Sequence, residues 1–117
     1  DRLKKLQTEC MEKQPHHIPV LFMMDIIHGM KTIFPVPLGQ AATFDPELTR
    51  MGAEIAAKES AVMGLHVGFS PMSDLVRDPR WGRVVESYGE DPYMISRFVE
   101  AHVKGFQGWQ GLQYSEY

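Results

Sequence analysis

The sequence predicts an α/β fold built on a parallel sheet, and three observations predict it. Helix-like and strand-like segments alternate along the chain in the order helix, strand, helix, strand, helix. The first strand segment, residues 18–24 (IPVLFMM), is apolar throughout, as expected for a strand covered on both faces. Both strand segments run into a carboxylate, Asp25 and Asp74, and the helix after each opens on Asp-Pro.

Each element has its own warrant. Residues 1–13 read as a helix because Leu3, Leu6 and Cys10 share one face, with Lys4, Lys5, Glu9 and Glu12 largely off it; Pro15 stops it. Residues 29–44 contain Gly29, Pro35, Pro37 and Gly39 and read as a loop. Asp45 caps the next helix and Pro46 starts it at no hydrogen-bond cost. Leu48, Met51, Ile55, Val62 and Met63 form its expected core stripe, and Gly64 its left-handed cap. Residues 65–72 (LHVGFSPM) are the second strand, weakened by Gly68 and Pro71. Residues 77–83 form a polar loop. Asp91-Pro92 then starts a helix whose apolar face is Ile95, Phe98, Val99, His102, Val103 and Phe106, ended by Gly105 or Gly108.

Two strands leave a sheet open at both edges. A barrel of eight strand–helix units takes about 250 residues. The expected architecture is therefore part of a (β/α)8, TIM-type barrel: about two strand–helix units behind a leading helix, with no boundary within residues 1–117. A small three-layer α/β domain competes but normally needs a third strand. The start at Asp1, with neither methionine nor signal peptide, adds to the expectation of a fragment.

Composition narrows the function classes. The chain has 12 basic and 15 acidic residues, a net charge of −3. That balance argues against nucleic acid as the main partner, since phosphate binding needs clustered Lys and Arg. No apolar run approaches the roughly 20 residues of a membrane span. A single cysteine, Cys10, excludes an internal disulfide and reads as packing. The eight methionines read mostly as core.

In α/β barrels the chemistry sits just past the C-terminal strand ends. That rule selects Asp25 and His28 after the first strand, and Asp74 with residues 77–83 after the second. Asp25 follows an apolar run, so its carboxylate must find donors or stay wet; it suits ligand hydroxyls, or a loop cap or arginine pair. His28 can contact ligand, although a histidine bonded to backbone is the simpler role. Residues 77–83 hold three arginines, an aspartate and Trp81. Arginine forks fit carboxylates and vicinal oxygens, and a tryptophan can pack them or wall a sugar site. The structural alternative pairs Arg77 or Arg80 with Asp74, Asp78, Glu86 or Glu90. One arginine facing ligand, with the others structural, is the expected division. Glu86 could be a catalytic carboxylate, whereas Glu90 and Asp91 read as the acidic start of a helix.

Taken in order, these motifs resemble glycoside hydrolase family 3. They are Met24-Asp25-Ile26-Ile27-His28-Gly29, Phe34-Pro35, Pro37-Leu38-Gly39, Ser70-Pro71-Met72 with Asp74, RDPRWGR at 77–83, and Glu86-Ser87-Tyr88-Gly89-Glu90-Asp91-Pro92-Tyr93. The chain is similar to the family's bacterial β-glucosidases. The resemblance implies a (β/α)8-type N-terminal domain and a retaining mechanism with an aspartate nucleophile and a separate acid/base. It implies a β-glucoside or β-linked oligosaccharide substrate and no metal or organic cofactor. It makes Asp25 a holder of sugar hydroxyls in the −1 subsite and Arg83 a substrate-binding residue, with His28 added on position. The family's nucleophile, acid/base and Lys-His pair lie further along, and nothing in residues 109–117 matches them. No catalytic residue is therefore assigned. DIIHG, in place of a DQEGG-like or SEALHG-like stretch, favours the glucosidase branch over hexosaminidases and xylosidases. A periplasmic or secreted enzyme fits the family, and the segment carries no signal peptide. Two other functions compete: a stand-alone carbohydrate-binding module using Asp25 and Arg83, and a metal hydrolase built on Asp25, His28 and Asp74.

Overall fold

The computed structural model describes residues 2–108, so residues 109–117, including the aromatic tail, lie outside the described part. Helix α1 (Arg2–Lys13) leads into strand β1 (Met23–Met24). Helices α2 (Pro37–Ala41) and α3 (Pro46–Met63), strand β2 (Val67–Gly68), a 3-10 turn (Val84–Glu86) and helix α4 (Pro92–Gln107) follow. The strands pair in parallel, Met23 opposite Val67 and Met24 opposite Gly68. The ladder is extended by His66 N–H to Phe22 O (2.9 Å) and Phe69 N–H to Met24 O (2.9 Å). The expected α/β alternation and parallel pairing are both present, with α3 as the crossover.

The helix ends follow local chemistry. Asp45 accepts from Glu47 N–H at 3.0 Å and Asp91 from Met94 N–H at 2.7 Å, each ahead of a proline in the first turn. Gly64 and Gly108 close the two long helices with φ of +88° and +61°. Gly105 lies inside α4, so Gly108 is the terminator.

Five expectations need correction. The strands expected over residues 18–24 and 65–72 are confined to Met23–Met24 and Val67–Gly68, the only stretch where the two segments pair residue for residue among the described residues. Residues 29–44 are not all loop: Pro37 fixes φ for the short helix α2. The first strand is not buried on both faces: Ile18, Leu21, Met23 and Met24 are exposed, and β1 has a single strand neighbour among the described residues. Burial begins past the ladder, at Ile26 and Ile27. The expected stripe of α3 points outward, with Leu48, Met51, Ile55, Val62 and Met63 exposed. The buried face is instead Thr49, Ala53, Ala56, Ala57 and Ser60, which packs on α4. Small side chains win there because the helices cross closely. A Cβ on Gly105 of α4 would lie 2.3 Å from Arg50 O and 2.8 Å from Ala53 Cβ. The methionines, finally, are half-buried or exposed rather than core.

The α4 face is as expected. Ile95, Phe98, His102 and Gly105 are buried, and Phe98 stacks on Tyr88 with ring centroids 5.2 Å apart. His102 bonds Tyr88 through Nδ1 at 2.8 Å and stacks on Phe106. Burial pushes the His102 imidazole down to about 4 from an ordinary 6.5. An unfolded chain binds a proton at His102 below about 6.5 and the folded one only near 4, so stability falls as pH drops through that window. The expected loss is about 3 kcal/mol, with no contribution from this group above neutral pH. Thermal unfolding of the full-length protein carrying this segment, measured from pH 7 to pH 4.5, checks it. His102→Asn should flatten the slope, and an unchanged slope contradicts the assignment.

Candidate functional site

Asp25 and Asp74 leave the same end of the two-stranded sheet, the end toward which the parallel strands run. Both are exposed, as is Arg83 in the loop after β2. Arg83 Nε donates to Glu86. That bond holds the guanidinium above its ordinary pKa, and the charges of Glu86, Asp25 and Asp74 act in the same direction. Asp25 and Arg83, selected separately from sequence, thus share one electrostatic neighbourhood with Asp74 and Glu86. An arginine fork among carboxylates can donate to sugar oxygens while the carboxylates accept from hydroxyls.

His28 lies beyond Asp25 in a tight turn. Its Nδ1 donates to Phe34 O at 2.9 Å, and Phe34 N–H donates back to His28 O at 2.8 Å. The backbone-bonded role expected for His28 is therefore present, and this tautomer leaves Nε2 as an acceptor. Gly29 makes the turn possible. Its φ is +126°, and a Cβ there would sit 2.0 Å from Thr32 O. Glu59, from α3, ties the turn down by accepting from Lys31 N–H (2.8 Å), Thr32 N–H (2.8 Å) and Thr32 Oγ1 (2.6 Å). The Thr32 hydroxyl and the backbone donors hold the Glu59 carboxyl below its ordinary range.

The arginine loop carries one of the ion pairs expected of it, Arg80–Asp78, while Arg83, the ligand candidate, is itself paired. Arg80 pairs with Asp78 at 2.6 Å, Arg83 pairs with Glu86, and Arg77 makes no ion pair among the described residues. Trp81 is part-exposed rather than a buried plug. No trio of His, Cys, Asp or Glu is placed to hold a metal ion among the described residues, so Asp25, His28 and Asp74 do not converge as a ligand set. No helix is long and apolar enough to cross a membrane among the described residues.

Sequence reasoning missed two supports. Glu59 sits on a solvated helix face, and only a contact 27 residues away marks it. Tyr88 and His102 were visible only as a motif residue and as a polar interruption of an apolar face. That interruption was the one available signal.

Comparison with known proteins fits this geometry. Residues 1–113 match the glycosyl hydrolase family 3 N terminal domain. A periplasmic beta-glucosidase of Salmonella typhimurium is 40% identical over 91% of this chain and 14% of its own length. A putative beta-xylosidase of Formosa agariphila is 38% identical over 92% of the chain and 15% of its own length. The crystal structure of a beta-glucosidase from Listeria innocua superposes with a TM-score of 0.87 at 50% identity, covering 91% of this chain and 15% of that one. The chain thus spans about a seventh of the length of these relatives. With the family model covering nearly every residue and the parallel strands, helices and strand-end carboxylates in place, the chain belongs to glycosyl hydrolase family 3, within its N-terminal, TIM-barrel-type domain.

Proposed function

We propose that residues 1–117 are a single portion of the barrel of a retaining β-glucosidase, one that cleaves terminal β-D-glucosyl residues. The observation that carries this is the placement of Asp25 and Asp74 past the C-terminal ends of the parallel strands, with the Arg83–Glu86 pair in the loop that follows the second. Within the −1 subsite, Asp25 accepts from sugar hydroxyls and Arg83 donates to a sugar oxygen, while His28, which lines a crevice with Thr49, Ala53 and His102, supports the turn behind Asp25. The nucleophile and the acid/base belong to later barrel strands. The substrate is a β-glucoside or β-linked oligosaccharide. The Listeria innocua enzyme has been solved with glucose and, as a variant, with laminaribiose, which supports that class.

Retaining hydrolysis needs two carboxyl groups about 5–5.5 Å apart. The isolated 117-residue chain, which has no assigned nucleophile, is therefore expected to release no nitrophenol from nitrophenyl β-glucoside. Turnover proportional to pure protein would overturn that expectation. The alternative, a stand-alone carbohydrate-binding module, requires the isolated chain to unfold cooperatively and to bind glucose in a calorimeter. The resemblance to a putative beta-xylosidase raises a xyloside as rival substrate. Turnover of nitrophenyl β-glucoside against β-xyloside by the full-length enzyme decides between them.

A further inference from the structure

We propose that Tyr88 and His102 act as a positioning pair that fixes the direction of Arg83 at the sugar-binding edge; this rests on the sugar role proposed above for Arg83. The loop from β2 to α4 is polar and exposed over residues 77–83, so packing at its tip does not hold Arg83 in one orientation. It is held at its root. Ser87 is fully buried and its Oγ donates to Asp74 O at 2.6 Å. Val76 N–H donates to Gly89 O at 3.1 Å, closing the neck of the loop.

Tyr88, the next residue, fastens that neck to α4. Its ring is buried against Phe98, and its hydroxyl meets His102 Nδ1 at 2.8 Å in a site from which both residues exclude water. Between Tyr88 and Arg83 lies a single 3-10 turn, closed by Val84 N–H to Trp81 O, Glu86 N–H to Arg83 O and Ser87 N–H to Val84 O. Glu86 ends that turn and binds the Arg83 guanidinium. A rotation of Tyr88 is therefore passed through a short, hydrogen-bonded piece of backbone to both members of the Arg83–Glu86 pair. Packing alone would be met by phenylalanine. The hydroxyl adds a directional bond that sets how far the ring enters the core, and its loss strands a buried nitrogen.

The test is a double-mutant cycle in the full-length enzyme, read as KM and kcat on nitrophenyl β-glucoside. Tyr88→Phe should raise KM about tenfold with a smaller change in kcat. Arg83→Ala should raise it further, and Tyr88→Phe placed on Arg83→Ala should add nothing. His102→Leu should copy Tyr88→Phe, while His102→Asn, which keeps an acceptor near Nδ1, should recover most of the loss. Losses that multiply in the double variant, or wild-type constants in Tyr88→Phe, overturn the positioning role alone. Wild-type constants in Arg83→Ala overturn the sugar role of Arg83 and the positioning role with it. If Tyr88→Phe does not fold, His102→Leu closes the same cycle.

Discussion

Asp25→Asn in the full-length enzyme should lower kcat/KM on nitrophenyl β-glucoside by about a hundredfold, with most of the loss in kcat. The substitution keeps the shape of the side chain and one acceptor oxygen, but it replaces an ionised acceptor by a neutral amide. Hydrogen bonds to a charged group contribute about 1.5–3 kcal/mol, and each 1.36 kcal/mol is tenfold in rate. Bonds to sugar hydroxyls strengthen as the ring approaches its oxocarbenium-like transition state, so the effect falls on kcat more than on KM. Stability should hardly move, because Asp25 is exposed and its carboxylate supports no helix end or core group among the described residues. Wild-type turnover and affinity in this variant would remove Asp25 from the sugar site. A large fall in unfolding temperature would make it structural instead.

Gly105→Ala should destabilise the barrel by about 3 kcal/mol, the upper end of the overpacking range. Two effects oppose each other. Alanine in a helix interior gains about 1 kcal/mol over glycine. Against that, the new Cβ would meet Arg50 O at 2.3 Å and Ala53 Cβ at 2.8 Å. Backbone oxygen cannot swing aside, so α3 and α4 must separate along a face of small residues. That shift also disturbs the setting of His102 and Phe106 beside Gly105. Thermal unfolding of the full-length protein is the measurement, and an unchanged or raised transition would mean that the helices relax apart freely. Gly52 makes a useful control. The nearest atoms to a Cβ there are those of the Phe34 ring, at 3.5 Å and beyond, so Gly52→Ala should cost far less.

Much of the fold and site was legible because it rests on local chemistry. Asp45-Pro46 and Asp91-Pro92 specify helix starts through one side-chain acceptor and one fixed φ, and Gly64 specifies a stop through a φ that other residues avoid. Asp25 was found because it ends an apolar run, and Arg83 because RDPRWGR is a specific motif. Their shared neighbourhood was expected only from the barrel rule, and the charges of Asp25 and Asp74 both act to raise the Arg83 pKa.

Other features were not legible, and the reasons are physical. Hydrophobic periodicity marked Leu48, Met51 and Ile55 as the inner face of α3, yet that face is outermost in the described residues. Periodicity measures how apolar a face is, whereas the α3–α4 crossing is set by how closely two backbones approach. Glycine and alanine carry little hydrophobic signal and allow the closest approach. Glu59 escaped for a related reason: its role depends on three donors from a turn that the chain brings back to it. By itself, then, the sequence determined the alternation of elements, the starts of the two long helices, the family and the residues offered at the strand ends. Only the tertiary structure decided which helix face is buried, how Glu59 ties down the turn at residues 28–34, that the Tyr88 hydroxyl reaches His102, and that Arg83 pairs with Glu86. Caps and turns are short-range bonds written within a few residues, while packing and charge proximity join residues whose separation along the chain says nothing of their distance in space.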